Sequence, residues 1–265
     1  VIETGLVGRL DSTNIISPEV SVITNISLEH TAILGDTIEL IAKEKAGIIK
    51  KNTPIVIGES TSITKPIFTK IAEDLKAPIY FCESNNLKQY KLDLRGNIQQ
   101  KNAKACAKTM EALQEKGWKI SEANLITGLQ SVVKNTQLLG RFQVIQKDPL
   151  VVFDTAHNPH GIESLIKEIS TLSYKKLRVV IGMANDKNHK ETLNLFPLKT
   201  KFYFCSSTNE RVLKGKELKE IAMSFEKKGN SYKSVQKGLK KALKKADKED
   251  LILVTGSNFI VADAL

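Results

Sequence analysis

Short apolar runs rich in β-branched and aromatic residues alternate with segments of helical period along nearly the whole chain. VIETGL (1–6), SVITNI (21–26), PIVIGE (54–59), PIYFCE (78–83), LVVFDTA (150–156), RVVIGM (178–183), KFYFCSS (201–207) and LILVTGS (251–257) read as strands. Several are continuously apolar rather than alternating, as expected of parallel strands covered by helices on both faces. Helical period runs over 37–46, 64–76, 98–116, 121–134, 159–171, 214–228 and 235–247. Repeated strand–helix–strand units predict an α/β fold.

The 265 residues suffice for one large or two ordinary domains. Two successive helices give way at NTQLLGRFQVIQKDP (135–149) to fresh strand–helix alternation. The expected organisation is two doubly wound, Rossmann-like domains, 1–138 and 139–265, with a ligand cleft between them. The first domain opens in mid-alternation and without a starting Met, so a chain cut from something longer is expected.

One helical segment, TIELIAKEKAGII, poses a packing question. At about 100° per residue, Ile38, Ile41, Ala42 and Ile49 share one stripe, and Glu39, Lys43, Glu44 and Lys50 lie opposite. Lys45 falls inside the apolar stripe. Either it snorkels out from the helix end near Gly47, or an anion or a chemical modification meets it inside.

Composition narrows the class. The chain is 41% hydrophobic and 26% charged, an ordinary globular profile, and no apolar run approaches the roughly 18 residues of a membrane span. The amino end has no signal-peptide pattern. Cys82, Cys106 and Cys205 form no metal-type or redox-type pair, so a reducing cytoplasm is the plain reading. Net charge is +11. Much of it sits in KGLKKALKKADKED (237–250), an amphipathic pattern whose lysines make a solvated face. No aromatic platform, zinc finger or RNA-binding signature accompanies it, so charge alone does not indicate nucleic acid.

Polar groups just after strands are the candidates for chemistry, because open α/β sheets bind ligands at the carboxyl ends of their strands. Glu3 is followed by Gly5, Gly8, Arg9 and Asp11; His30 follows SVITNISLE; Asp154 and His157 end LVVFDTAHNPHG. There Asn158 suits a helix cap and Pro159 a first helical position, and such a helix start favours a phosphate or carboxylate. Each has a plainer alternative. His30 can be a hydrogen-bonded loop histidine, Glu3 can pair with Arg9, and Asp154 and Asn158 can simply cap.

Taken in order, ETGLVGRLDSTN, ISLEHTAILGDTIELIAKEKAGIIK, GRFQVI and FDTAHNPHG closely resemble the folylpolyglutamate synthase/dihydrofolate synthase family of the Mur ligase superfamily. The likeness runs to LILVTGSNFIVADAL at the end. It implies an incomplete P-loop-type ATPase domain followed by a Mur ligase C-terminal domain. The implied activity is an ATP-dependent amide ligase, joining L-glutamate to dihydropteroate or a folate through an acyl phosphate. By position, the resemblance makes Glu3 and His30 ligands of Mg²⁺. It makes Lys45 a carbamylated lysine whose carbamate helps hold a second metal ion, which would explain an inward-facing amine. Asp11 matches a pterin contact, Asn102 a residue near adenine, Arg141 an arginine on the ATP phosphates and Asp154 an acid holding the ribose. His157 and Ser257 match the active-site and glutamate side. The family also implies a cytoplasmic monomer, with no part for nucleic acid or membrane.

Two departures stand out. Val7 occupies a position where the family usually has glycine, and no G-x-x-x-x-G-K-[ST] loop occurs in these residues. In the family that loop lies ahead of the glutamate strand, so these residues alone are expected to turn over no ATP. Two rivals stay open: a Mur-type ligase of peptidoglycan precursors, against which Asp11 and the AHNP wording speak, and a non-catalytic binding protein that keeps the fold.

Overall fold

The computed structural model describes residues 1–28, 31–82 and 89–265. It divides into two compact units, Val1–Asp93 with Asn97–Val132, and Leu94–Gly96 with Val133–Leu265.

In the first unit β1 (Ser21–Ile23), β2 (Ile55–Ile57) and β3 (Ile79–Phe81) pair in parallel in that order. Successive strand side chains point to opposite faces. Ile55 and Ile57 therefore meet Ala42 and Ala46 of α2 (Ile38–Ala46) and Phe68 and Ala72 of α3 (Thr64–Asp74). Val56 meets Ala105 of α4 (Asn97–Glu115) on the other side. Burying such an aliphatic side chain contributes about 1.5–3 kcal/mol, so a short sheet needs both helical layers. A short helix, α1 (Thr31–Leu34), precedes α2.

Residues 1–6 form no strand, contrary to expectation. Val1 and Ile2 are exposed, so the apolar residues that suggested a strand bury nothing. The segment instead leads into a loop docked on the end of α2. Arg9 N–H donates to the Glu44 carbonyl at 2.9 Å, and its guanidinium pairs with the Glu44 carboxylate at 3.0 Å. Asn14 Nδ2 bridges the Arg9 and Gly47 carbonyls. Two glycines permit this approach. Gly8 has φ +94°, and a Cβ there would sit 2.8 Å from the Glu44 carbonyl oxygen. Gly47 follows the helix with φ −60°, so it is no left-handed cap; a Cβ there would lie 2.3 Å from that of Arg9.

The helix expected over 121–134 is two, α5 (Glu122–Leu129) and α6 (Val132–Thr136). Ser121 and Asn124 form a capping box at the start of α5, while Gly128 and the β-branched pair Val132–Val133 weaken continuation.

The second unit holds a six-stranded sheet in the order β4-β5-β9-β6-β7-β8. Its strands are β4 (Gln143–Lys147), β5 (Leu150–Phe153), β6 (Leu177–Ile181), β7 (Lys201–Cys205), β8 (Gly229–Tyr232) and β9 (Leu251–Thr255). All pair in parallel except β4 with β5. Val152, Val179, Phe202 and Leu253 face α7 (Pro159–Ile169), α8 (His189–Asn194) and α9 (Gly215–Met223). Val151, Val180, Tyr203 and Ile252 face α10 (Val235–Lys245) and α11 (Asn258–Ala264). The sheet is thus doubly wound. The chain passes from β5 to β6 leaving one place open, and the fully buried β9 fills it last. The five lysines of α10 are exposed, with Val235, Gly238 and Ala242 inward, as the charge pattern predicts. Among the described residues no helix is long and apolar enough to cross a membrane.

β4 and β8 were not anticipated. Both are edge strands, and GNSY and QVIQK carry mostly exposed or half-buried residues, so neither shows a buried run.

One ion pair lies inside the second unit. Arg178 Nε donates to Asp250 Oδ2 at 2.8 Å with side-chain exposures of 8% and 0%, and Nη1 donates to the Tyr203 hydroxyl at 3.1 Å. Removing one partner leaves an uncompensated buried charge. Arg178→Met is expected to lower the unfolding free energy by roughly 3–5 kcal/mol. Lys175→Met, which removes an exposed pair with Glu249, should cost less than about 1 kcal/mol. Urea titrations of both variants check the contrast.

Candidate functional site

The described polar groups proposed from the sequence are divided between the two units. In the first, Lys45 lies in the last turn of α2, half buried between Ile41, Ala42, Ala46 and Ile49. Its Nζ donates to the Leu6 carbonyl at 3.4 Å. Together with Thr4, Gly8, Val22, Ile23, Thr24, Asn25, Ser27 and Ile48 it lines a recess of 160 Å³. Its polar lining residues are Thr4, Thr24, Asn25, Ser27 and Lys45. Glu3 precedes Thr4 with an exposed side chain, and His30 lies outside the described residues. Among the described residues no three His, Cys, Asp or Glu side chains gather as a metal-binding group. Threonine, serine and asparagine side chains carry the kind of oxygen donor that a hard divalent cation takes.

Asp11 organises the loop above α2. Its Oδ1 accepts from the Thr13 N–H at 3.0 Å and the Thr13 hydroxyl at 2.6 Å, and its Oδ2 from the N–H groups of Gly5 at 2.8 Å and Leu6 at 3.2 Å. These bonds, the Thr13 hydroxyl foremost, hold its pKa at about 2. Asn102 is exposed on α4, with its Nδ2 donating to Gln99 Oε1 at 3.1 Å.

The second cluster surrounds the end of β5. Asp154 is half buried, with Oδ2 accepting from the Phe142 N–H and Oδ1 from the Ala156 N–H, both at 2.8 Å. Burial pushes its carboxyl above the usual carboxylate range, against the pull of those two N–H groups and of the Arg141 charge. Arg141 Nη1 donates to the Thr155 hydroxyl at 2.8 Å. His157 Nδ1 lies 3.0 Å from the Thr155 carbonyl. A carbonyl can only accept, so neutral His157 carries its proton on Nδ1 and leaves Nε2 as an acceptor. Asn158 caps α7 through Gly161 N–H, with Pro159 at the start. Ser257 is buried and caps α11 by accepting from Ile260 N–H at 3.2 Å.

Sequence reasoning missed the loops after β6 and β7. Asn185 N–H donates to the Arg211 carbonyl and Leu213 N–H to the Met183 carbonyl, both at 2.9 Å. Ser207 Oγ donates to Asp263 Oδ2 at 2.7 Å. These loops bring Asn185, Lys187, His189 and Arg211 to the same carboxyl-terminal edge of the sheet. The signal was present: MANDKNHK and SSTNER are polar stretches directly after apolar strands, where ligands of open sheets bind.

Comparison with known proteins adds to this geometry. Residues 140–258 match the Mur ligase glutamate ligase domain. The dihydrofolate synthase/folylpolyglutamate synthase of Escherichia coli strain K12 is 32% identical over 285 aligned residues, which take in all of this chain and 64% of that protein. A structure of E. coli FolC in complex with DHPP and ADP superposes with a TM-score of 0.84 at 31% identity, covering 98% of this chain and 64% of that one. The bifunctional enzyme of Yersinia pestis, complexed with AMPPNP and Mn ion, gives 0.80 at 29% identity, with coverages of 98% and 64%. The chain spans about 64% of the length of these relatives. Residues 140–258 thus resemble a Mur ligase glutamate ligase domain, and the whole chain is similar to folylpolyglutamate/dihydrofolate synthases over about 64% of their length.

Proposed function

We propose that these residues belong to an ATP-dependent amide ligase that joins L-glutamate to the carboxyl of dihydropteroate, of a folate, or of both. The observation that carries this reading is the similarity along the whole of this chain, supported by a half-buried lysine beside a recess lined by threonine, serine and asparagine residues. A carboxylate is a poor electrophile. Transfer of a phosphoryl group from ATP to it gives an acyl phosphate and ADP, and attack by the glutamate amine then forms the C–N bond and expels phosphate. Charge developing on the transferred group calls for cationic donors.

We assign Glu3, His30 and carbamylated Lys45 to hold divalent metal. A bound Mg²⁺ would supply charge neutralisation at the phosphoryl group. A carbamate nitrogen keeps one N–H, so the bond to the Leu6 carbonyl survives modification. Asn102 is assigned to adenine, Arg141 to the phosphates and Asp154 to the ribose. Each Asp154 oxygen already takes a backbone N–H, so a sugar hydroxyl would use the remaining lone pairs. His157, with Nε2 open as an acceptor, and Ser257 are assigned to the glutamate side, and Asp11 to the pterin. We assign 1–138 to the ATPase part and 139–265 to the ligase part of a cytoplasmic monomer.

The rival reading is a non-catalytic binding protein that keeps this fold. The two readings separate experimentally. The 265-residue polypeptide alone is expected to show no glutamate-dependent ATP turnover. Supplied with a phosphate loop ahead of Val1, it should release phosphate only with both L-glutamate and dihydropteroate or a folate. Release with nucleotide-linked muramyl substrates would transfer the assignment to peptidoglycan precursors, and no release with any of them would favour the binding protein.

Lys45 gives a direct test of the metal assignment. Incubation with ¹³C-bicarbonate and Mg²⁺ is expected to produce one carbamate resonance in the ¹³C NMR spectrum, absent from Lys45→Arg. A spectrum identical in the two proteins would remove Lys45 from the metal site.

For Asp11 the folded pKa, about 2, lies below the ordinary 3.8. Its contribution to the loop is therefore present above pH 3.8 and fades as pH falls toward 2. The carboxyl carbon shift of Asp11 should titrate with a midpoint near 2, and in Thr13→Ala that midpoint should move up toward 3.8.

A further inference from the structure

Arg141 is exposed at its turn, yet its guanidinium is tethered. The acceptor is the hydroxyl of Thr155, a residue only 7% exposed. Thr155 is itself fixed, since its N–H donates to the Gly140 carbonyl at 2.9 Å. On the other side of Arg141, the Phe142 N–H is held by Asp154 at 2.8 Å. The backbone flanking the arginine is thus pinned at Gly140 and at Phe142, and one corner of its side chain is pinned at Nη1. Arginine presents five N–H donors in a rigid planar fork. With Nη1 taken by Thr155, the side-on pair formed by Nε and Nη2 remains, the edge that meets two oxygens of a phosphate in parallel.

We propose that Thr155 is a positioning residue for Arg141, whose buried hydroxyl aims the Nε/Nη2 edge at a phosphoryl oxyanion. The inference rests on the reading of Arg141 as a nucleotide-phosphate ligand and adds to it the group that sets its direction. An untethered arginine loses rotamer freedom on binding, whereas one held in advance has already lost it. Thr155→Val keeps the branched shape and removes only the hydroxyl, and Thr155→Ser keeps the hydroxyl and removes only the methyl.

The test is an ADP titration of the 265-residue chain labelled with ¹⁵N-arginine, following the Nε–H and Nη signals of Arg141 by NMR. In the wild type the Arg141 Nε–H signal should shift saturably, and Nη1 should exchange slowly with and without ADP. Thr155→Val should bind about threefold to tenfold more weakly, the range for loss of one hydrogen bond, with fast Nη1 exchange and an unchanged thermal midpoint. Thr155→Ser should restore both affinity and slow exchange. Equal ADP affinity in the wild type and Thr155→Val would overturn the positioning role while leaving Arg141 as a phosphate ligand. Failure of the wild-type Arg141 signal to respond to ADP would overturn that underlying reading and this one with it. Should Thr155→Val not fold, the wild type alone decides: fast Nη1 exchange in the ADP-bound chain would show the tether released on binding and overturn the proposal.

Discussion

The Asp154 carboxylate gives up most of its water for two backbone N–H groups, and the second cluster takes its shape from that exchange. A half-buried charge without partners would neutralise or force the site open. Held at 2.8 Å on each oxygen, it instead ties the turn at Phe142 to the turn at Ala156. Arg141 lies just before the first anchor, and Thr155 and His157 flank the second. Their side chains acquire directions because the backbone between them cannot drift. His157 then uses Nδ1 on the Thr155 carbonyl, which settles the tautomer of its neutral ring. The carboxyl rises above the usual carboxylate range because desolvation outweighs the bonds and charges that oppose it.

That knot can exist where it does because of how the sheet is wound. β9 enters last between β5 and β6, with every residue buried. Asp154 N–H donates to the Val254 carbonyl at 3.0 Å, and Gly256 N–H to the Ala156 carbonyl at 2.9 Å. The final strand thereby clamps the loop that follows β5. Parallel strands under two helical layers send their polar loops to a single edge. Apolar order inside the sheet is therefore converted into polar order at its rim.

Much of this was legible in the sequence, for identifiable reasons. β5, β6, β7 and β9 are continuous apolar runs because helices cover both faces, and burial of that kind is written in every residue. β4 and β8 escaped notice because an edge strand buries one side weakly; Ile145 remains 46% exposed. Residues 1–6 misled in the opposite direction, since Val1 and Ile2 look like strand residues yet bury nothing. Site residues were harder to read. Asp154, Asn158 and Ser257 all serve as local caps or braces, and a cap and a ligand ask for the same oxygen at the same place. Periodicity could put Lys45 in the apolar stripe, but it could not report that the loop carrying Glu3 and Asp11 folds back over that helix end.

Three cations withdrawn from water in these two units show what the Lys45 arrangement lacks. Arg178 has a carboxylate at 2.8 Å and a hydroxyl at 3.1 Å. Lys227 is 6% exposed and donates to the Phe196 carbonyl at 3.1 Å, just past the end of α8, where the helix dipole favours positive charge. Lys45 also stands at a helix end, but among the described residues its one hydrogen bond is the long contact of 3.4 Å to Leu6 and no carboxylate pairs with it. Among the described residues the recess beside it is lined by neutral polar and apolar side chains, with no carboxylate. A group meant to stay an ammonium ion would be better served by a partner like that of Arg178. An amine that gains a carboxylate by reaction with CO₂ needs the opposite, room in front of the nitrogen and oxygen donors around it to complete the shell of a cation. The recess beside the nitrogen has that room and is lined by Thr4, Thr24, Asn25 and Ser27, the setting that the proposed carbamate would use.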